Sequence, residues 1–270
     1  MKRLFSIVAL VSSWLPAVHS QDYALKQLEN SPRHHEWVKV KNGDRTVHAF
    51  VAFPEIHEKA LSVIVIHENR GLTDWVRSFA DQLAEAGYLA IAPDLLSGYS
   101  DEYDKTSDFP DSDAARQGIY NLDPDQVTGD LKAIKAFIAA HPSASGKVVV
   151  AGFCWGGSQS FRFATNDKDI LGAMVFYGGP PSTQEDIDRI TAPVYGFYGE
   201  NDERINSTIE PTLEKMKKSG KTYDYVIYPG AGHAYMRRGD DPAADQSSKE
   251  ARDKSFKRLV VILDSLKSSK

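Results

Sequence analysis

The chain has 270 residues, 41% of them hydrophobic and 26% charged, with a net charge of −5. That length suits one large domain with a substantial core. The acidic balance, with no basic run, argues against nucleic acid as a partner, and a single cysteine excludes an internal disulfide.

Residues 1–20 read as an export leader. Lys2 and Arg3 precede the apolar stretch from Leu4 to Val11, and Pro16, Val18 and Ser20 follow. Ser12 and Ser13 interrupt the stretch, which falls short of the roughly 20 residues a membrane span needs. Cleavage after Ser20 is expected. It leaves residues 21–270 as one domain, exported to a periplasm or the medium, without stable membrane insertion. Without Lys2 and Arg3, 30 basic residues face 37 acidic ones, a charge of −7. An unpaired thiol is unusual in an oxidising compartment, which suggests chemical work at the sulfur.

Trp37–Val40 and Val47–Phe53 flank Asn42-Gly43-Asp44, the pattern of a hairpin. Ser62–His67 is a short strand buried on both faces. A helix starts near Thr73, repeats Trp75, Phe79 and Leu83 every four residues, and stops at Gly87. Tyr88–Ala92 is the next strand. Residues 95–122 hold many Ser, Asp, Gly and Pro and read as a long loop with room for one short helix, shaping a pocket mouth. Asp123 caps a helix that begins at Pro124 and buries Val127, Leu131, Ile134 and Ile138. Strand Lys147–Gly152, a helix from about Gly157, strands Ala173–Tyr177 and Val194–Tyr198, helix Ile209–Ser219, strand Tyr223–Tyr228 and helix Ser247–Leu266 complete the chain. Helices alternating with β-branched, uninterrupted strands predict an α/β fold, a mainly parallel central sheet with helices on both faces.

The lone cysteine lies in Gly152-Phe153-Cys154-Trp155-Gly156, directly after Val148-Val149-Val150. G-x-C-x-G at a strand-to-helix turn is the pattern of a nucleophile elbow, with sulfur in place of serine oxygen. In that arrangement an acid and then a histidine follow in chain order, each after a strand. Asp202, in Gly199-Glu200-Asn201-Asp202, and His233, in Gly230-Ala231-Gly232-His233, supply that order. Glu200 competes with Asp202 for the acid's place. The backbone N–H groups of Trp155 and Asn69 are the expected oxyanion donors. Glu68 is an acid at the end of a buried strand, either paired with Arg70 or reserved for chemistry. No metal-ligand spacing and no phosphate-cradling loop appears, so neither metal nor cofactor is expected. Asn206-Ser207-Thr208 matches a glycosylation triplet, but Ser207 fits better as the cap of the next helix.

Five segments together resemble the dienelactone hydrolase (carboxymethylenebutenolidase) family of α/β-hydrolases, across about residues 35–268. They are Val65-Ile66-His67-Glu68-Asn69-Arg70-Gly71, Ala92-Pro93-Asp94-Leu95, Gly152-Phe153-Cys154-Trp155-Gly156-Gly157, Tyr198-Gly199-Glu200-Asn201-Asp202 and Gly230-Ala231-Gly232-His233. The resemblance implies a Cys154–His233–Asp202 triad that opens an ester or lactone through a thioester, with His233 delivering water. It implies that Glu68 contacts the resting thiol until substrate turns the sulfur into the pocket. It also implies that Arg237, four residues after His233, holds a substrate carboxylate, with Arg116 as a second such arginine. Phe176 stands where a tyrosine is common beside the pocket. The expectation is a monomeric hydrolase of small lactones or esters. Two other readings use the same residues: a thioesterase or peptidase on this fold, and a non-catalytic protein that binds a small ligand.

Overall fold

The computed structural model of the protein describes residues 22–268, so the expected leader lies outside the described residues. Helix α1 (Asp22–Asn30) leads into the expected hairpin, β1 (His35–Asn42) and β2 (Arg45–Ala52), closed by Asn42 opposite Arg45. Strand β3 (Ala60–Ile66), helix α2 (Asp74–Glu85) and strand β4 (Leu89–Pro93) follow. The segment 95–122 is more ordered than its composition suggests. It contains a single 3-10 turn at Thr106–Asp108 and helix α3 (Ser112–Tyr120). Asp111 caps α3 by accepting the N–H groups of Asp113 and Ala114, and Ala115 and Ile119 pack with Leu96.

Helix α4 (Pro124–Ala139) starts as its sequence dictates. Asp123 accepts from the N–H groups of Asp125 and Gln126, and the stripe Val127, Leu131, Ile134 and Ile138 is buried. Beyond it lie β5 (Ala144–Phe153), α5 (Trp155–Asn166), β6 (Ala173–Phe176), α6 (Gln184–Asp188), β7 (Val194–Asn201) and α7 (Glu203–Asn206). The chain ends with α8 (Ile209–Lys218), β8 (Tyr223–Gly232), α9 (Tyr235–Gly239) and α10 (Gln246–Ser268). Two local expectations need correction. Helix α5 starts at Trp155, not near Gly157, because the elbow passes straight into the helix. Ser207 closes α7 and gives its hydroxyl to the Arg204 carbonyl at 3.1 Å, leaving Thr208 at the start of α8.

The eight strands form one sheet in the order β1-β2-β4-β3-β5-β6-β7-β8. β2 is antiparallel to β1 and β4, and every other pairing is parallel. Side chains alternate between the two faces. Val63, Val65, Val149, Ala151, Met174 and Phe197 pack toward α2 and α10, while Ile64, Ile66, Val148, Val150 and Val175 pack toward α4 and α5. Both faces are therefore apolar, which explains the uninterrupted strand sequences. No helix among the described residues is long and apolar enough to cross a membrane.

Helix α2 is tied to the N-terminal segment through buried Asp81. Its carboxylate accepts from Arg33 Nε and Nη2 at 2.7 Å each, from Ser31 Oγ at 2.7 Å and from His35 Nε2 at 2.8 Å. Burial alone raises a carboxyl's pKa. Here the bonds to Arg33, His35 and Ser31 outweigh it and hold Asp81 below its ordinary value. The stabilisation is thus present above the unfolded-state pKa and fades as pH falls through the folded one. Asp81→Ala strands a buried cation and should lower unfolding stability by about 3–5 kcal/mol in urea titrations. A loss below about 1 kcal/mol, the scale of an exposed pair, means that the cluster anchors nothing.

Candidate active site

The candidate groups sit one or two residues beyond the carboxyl ends of parallel strands, the edge where ligands bind in open α/β sheets. His67 and Glu68 follow β3, Cys154 follows β5, Tyr177 follows β6, Asp202 follows β7 and His233 follows β8. Cys154 has φ 55° and ψ −115°. A Cβ on Gly152 would collide with the Gly156 carbonyl, and one on Gly156 would collide with the His67 carbonyl. Bare backbone is the only solution at these crossings. The positive-φ residues other than glycine, among the described residues, are Cys154, Tyr177 and Ala234. Each costs about 1–3 kcal/mol and persists only where its surroundings fix it. All three lie at this edge of the sheet.

His233 joins sulfur to carboxylate. Its Nε2 is 3.1 Å from Cys154 Sγ, and its Nδ1 is 2.5 Å from Asp202 Oδ2. Burial disfavours the imidazolium. The hydrogen bonds to Asp202 and Cys154 outweigh that cost and push the ring's pKa up to about 9. Glu200 is elsewhere: its Oε2 accepts the Gly230 N–H at 2.8 Å, and Asn201 Nδ2 donates to the Gly230 carbonyl at 3.0 Å. Glu200 therefore steadies the loop that carries His233, and Asp202 is the carboxylate that bonds the ring.

The loop after β3 is organised by His67, which is fully buried. Its Nε2 accepts the Leu95 N–H at 3.2 Å, so Nδ1 carries the proton and donates to the Glu68 carbonyl at 2.7 Å. Burial lowers its pKa and keeps the ring neutral. The ring stacks on Trp155, with centroids 5.5 Å apart and planes 13° apart. One neutral histidine thus holds together the two segments that carry the expected oxyanion donors. Trp155 opens α5, so its N–H has no acceptor within the helix. The Asn69 side-chain amide donates to Tyr120 Oη at 3.0 Å.

Glu68 is buried and doubly bound. Its Oε2 accepts from Arg237 Nε at 2.6 Å and its Oε1 from Tyr177 Oη at 3.3 Å. Burial, then the charge of Glu68, raises the Tyr177 hydroxyl well above its ordinary pKa, which fixes it as a donor. For Arg237, burial opposes the charge, and the charge and hydrogen bond of Glu68 more than restore it. The partner of Glu68 is Arg237, not Arg70.

A cavity of about 150 Å³ opens on the sulfur, lined by Tyr120, Trp155, Ser158, Tyr177, Arg204 and Ile205 besides Cys154. It is smaller than the ~300–1,000 Å³ typical of drug-sized ligands. A larger hollow of about 790 Å³ lies by Trp37, Lys39, Arg77 and Lys105 and contains none of the reactive groups. No group of three or more His, Cys, Asp or Glu is placed to hold a metal ion among the described residues.

Residues 47–266 match the model of the dienelactone hydrolase family. The chain belongs to the dienelactone hydrolase family. It is 31% identical over 247 residues to a protein provisionally named carboxymethylenebutenolidase from Saccharolobus solfataricus, covering 79% of this chain and 94% of that one. A protein of the same provisional name from Salmonella typhimurium is 32% identical over 199 residues, which cover 69% of this chain and 72% of the other. A solved structure provisionally named dienelactone hydrolase, from Klebsiella pneumoniae, superposes with a TM-score of 0.75 at 24% identity. It covers 86% of this chain and 98% of that one. That likeness establishes the α/β-hydrolase fold.

Three expectations drawn from the dienelactone hydrolase pattern need correction. The sulfur's hydrogen bond goes to His233, while the oxygens of Glu68 go to Arg237 and Tyr177. Phe176 does not reach the cavity. It is fully buried, its ring stacked 4.7 Å from Phe153 and 4.2 Å from Phe197, because the last residue of β6 still obeys the sheet's alternation. The side chain beside the pocket is that of Tyr177, one residue later. Arg116 sits on α3 with half its side chain exposed, 3.3 Å from Asp113, and is not among the residues lining the cavity. Sequence reasoning also passed over Tyr120 and Arg204. A signal existed for Tyr177, which directly follows β6, and for Arg204, which lies two residues after the carboxylate that follows β7.

The raised pKa of His233 can be measured by NMR titration of ring-labelled protein. A midpoint near 9 is expected. Asp202→Asn removes a cause of the rise, so its midpoint should move to lower pH. A wild-type midpoint near the ordinary ~6.5 would mean that the His233 contacts are not formed in solution.

Proposed function

We propose that this protein hydrolyses small carboxylic esters or lactones with Cys154 as nucleophile, His233 as acid and base, and Asp202 as the group that orients His233. The observation that carries this reading is the hydrogen-bonded chain Sγ–Nε2 at 3.1 Å and Nδ1–Oδ2 at 2.5 Å, at the tip of an elbow turn. A protonated imidazole beside sulfur is the partner that a thiolate nucleophile needs.

The steps follow from that geometry. The thiolate attacks the carbonyl carbon and forms a C–S bond, while the carbonyl electron pair moves onto oxygen. The N–H groups of Trp155 and Asn69 receive that oxyanion. On collapse the C–O bond breaks, and the leaving oxygen takes the proton from His233 Nε2. His233, now neutral, removes a proton from water, the hydroxide attacks the thioester, and sulfur leaves as thiolate while the imidazolium is restored. In a lactone the leaving oxygen stays tethered to the acyl group, so one chain carries both product ends. Glu68 keeps Arg237 and Tyr177 in place against the elbow. The small cavity favours compact acyl groups over polypeptide.

Cys154→Ala should abolish turnover of p-nitrophenyl acetate and of an enol lactone. His233→Ala should lower it at least ~100-fold, the scale of general acid–base assistance. Stopped-flow mass spectrometry of the wild type should capture an acyl adduct on Cys154. Normal turnover without the thiol would sink the mechanism. An unreactive Cys154 with ligand-dependent stabilisation would favour the binding-protein reading instead.

A further inference from the structure

The hollow of about 790 Å³ beside Trp37 has no part in the reaction proposed above. It shares no lining residue with the cavity on Cys154, and its volume falls within the ~300–1,000 Å³ typical of small-molecule sites. It lies between one face of the β1–β2 hairpin, the start of α2 and residues 105–107. Trp37 stands opposite Phe50 and Lys39 opposite His48, so all four side chains leave the sheet on the face that α2 partly covers. Phe50 turns into the core, while Trp37 is 55% exposed.

The walls are held in place. Thr106 Oγ1 accepts the Leu72 N–H at 2.9 Å and donates to Asp94 Oδ1 at 2.7 Å, and the Thr106 N–H donates to Asp94 Oδ2 at 2.7 Å. The Arg77 guanidinium lies 5.6 Å from the ring centres of both Trp37 and Phe50 and pairs with Asp74, which steadies the indole. Arg77 is thus neutralised by Asp74, His48 meets Asp104 at 3.0 Å, and the oxygens of buried Asp94 are held by Thr106 and the Leu96 N–H. Lys39 and Lys105 also line the hollow and are exposed. Neither lies within ion-pair distance of a carboxylate among the described residues. We infer that this hollow is a binding site for a small aromatic anion, which lays its ring on Trp37 and turns its charge toward Lys39 and Lys105.

The chemistry of the walls selects that class. An indole offers a broad apolar face to another ring, and an ammonium on a flexible stem meets an anion without demanding a fixed geometry. An inorganic anion gains nothing from Trp37, and a neutral ring gains nothing from the lysines, so the two features together favour molecules that carry both. On a chain of net charge −5, two unpaired ammonium groups around one exposed indole are a local exception to the acidic balance. A fused aromatic ring is also a poor fit to the roughly 150 Å³ at the sulfur. The site is separate from Cys154 and stands whether or not the hydrolytic reading does.

The test titrates 2-naphthoate, with neutral 2-naphthamide as its control, into the protein calorimetrically at low salt, before and after alkylation of Cys154 with iodoacetamide. Naphthoate should bind with a Kd below about 1 mM that alkylation leaves unchanged, and more tightly than naphthamide. Trp37→Ala should weaken it roughly tenfold, the scale of one lost ring contact with its apolar burial, and Trp37→Phe should recover part. Lys39→Gln combined with Lys105→Gln should abolish the preference for the anion, as should high salt. All three positions are exposed, so these variants should keep the wild-type unfolding midpoint. Absence of naphthoate binding, unchanged affinity in Trp37→Ala, or loss of binding on alkylation of Cys154 each overturns the inference. Equal affinity for naphthamide overturns it too, because the lysines then read nothing. None of these results bears on hydrolysis at Cys154.

Discussion

Backbone pressed against backbone at the β5–α5 turn is the constraint on which the site depends. Gly152 meets the Gly156 carbonyl, and Gly156 meets the carbonyl of His67 at the end of β3. With no side chains between them, the nucleophile loop and the Glu68–Asn69 loop are forced together. The turn between the two glycines then has one way out: Cys154 stands at φ 55° with its sulfur projecting beyond the sheet. The strain is held by the Cys154 N–H bond to the Phe176 carbonyl at 3.0 Å and by the start of α5, where Ser158 N–H meets the Cys154 carbonyl at 3.2 Å. Phe176 belongs to the core stack, so the apolar interior fixes the carbonyl that holds the elbow. Core packing and chemistry share a residue here.

Around that elbow, each charged group is held by specific partners. Asp202 takes Nδ1 of His233, which leaves Nε2 for sulfur. Glu68 takes Arg237 and the Tyr177 hydroxyl, and the Tyr177 and His233 rings meet at a steep angle with centroids 5.0 Å apart. Truncating either member of a buried ion pair leaves an uncompensated charge, which is far costlier than the pair is stabilising. Glu68 and Arg237 are thus interdependent, and in this arrangement the Glu68 oxygens accept from Arg237 and Tyr177 rather than from the thiol. The sulfur instead rests on its base. For the proposed reaction, a thiol already so placed needs no substrate-driven rotation before attack.

Much of this was legible because sequence and structure obey the same local rules. Asp123 before Pro124 marks a helix start by supplying an acceptor for free N–H groups, and it does so. The G-x-C-x-G spacing encodes a steric fact, so it located the elbow from one segment. Cys154, Asp202 and His233 follow strands in chain order, and a parallel sheet turns that order into proximity. What failed was finer than the strand repeat. Phe176 and Tyr177 differ by one residue, yet one ends the strand inside the core and the other leaves it with φ 41° at the site. No pattern in the chain says at which residue the alternation stops. Arg116 and Arg204 are likewise alike in sequence, each a basic residue in a polar segment. Only the packing of α3 and α7 decides that one pairs with Asp113 while the other lines the cavity.

Sulfur also sets what such a site can gain from its surroundings. A thiolate is the better leaving group in the tetrahedral intermediate, so attack on an ordinary ester tends to revert unless the departing oxygen is protonated as it leaves. A histidine held near pKa 9 retains its proton at neutral pH, where it can make that donation. The same elevation works against deacylation, because an imidazole that holds its proton tightly leaves less of the neutral base that water needs. In the proposed mechanism, the loss of negative charge when the thiolate becomes a thioester eases this conflict. It removes the sulfur's support for the imidazolium, and the ring becomes easier to deprotonate when it must act as a base. On that proposal, His233 serves both halves of the reaction through a change in sulfur's charge alone, with Asp202 holding the ring's orientation throughout.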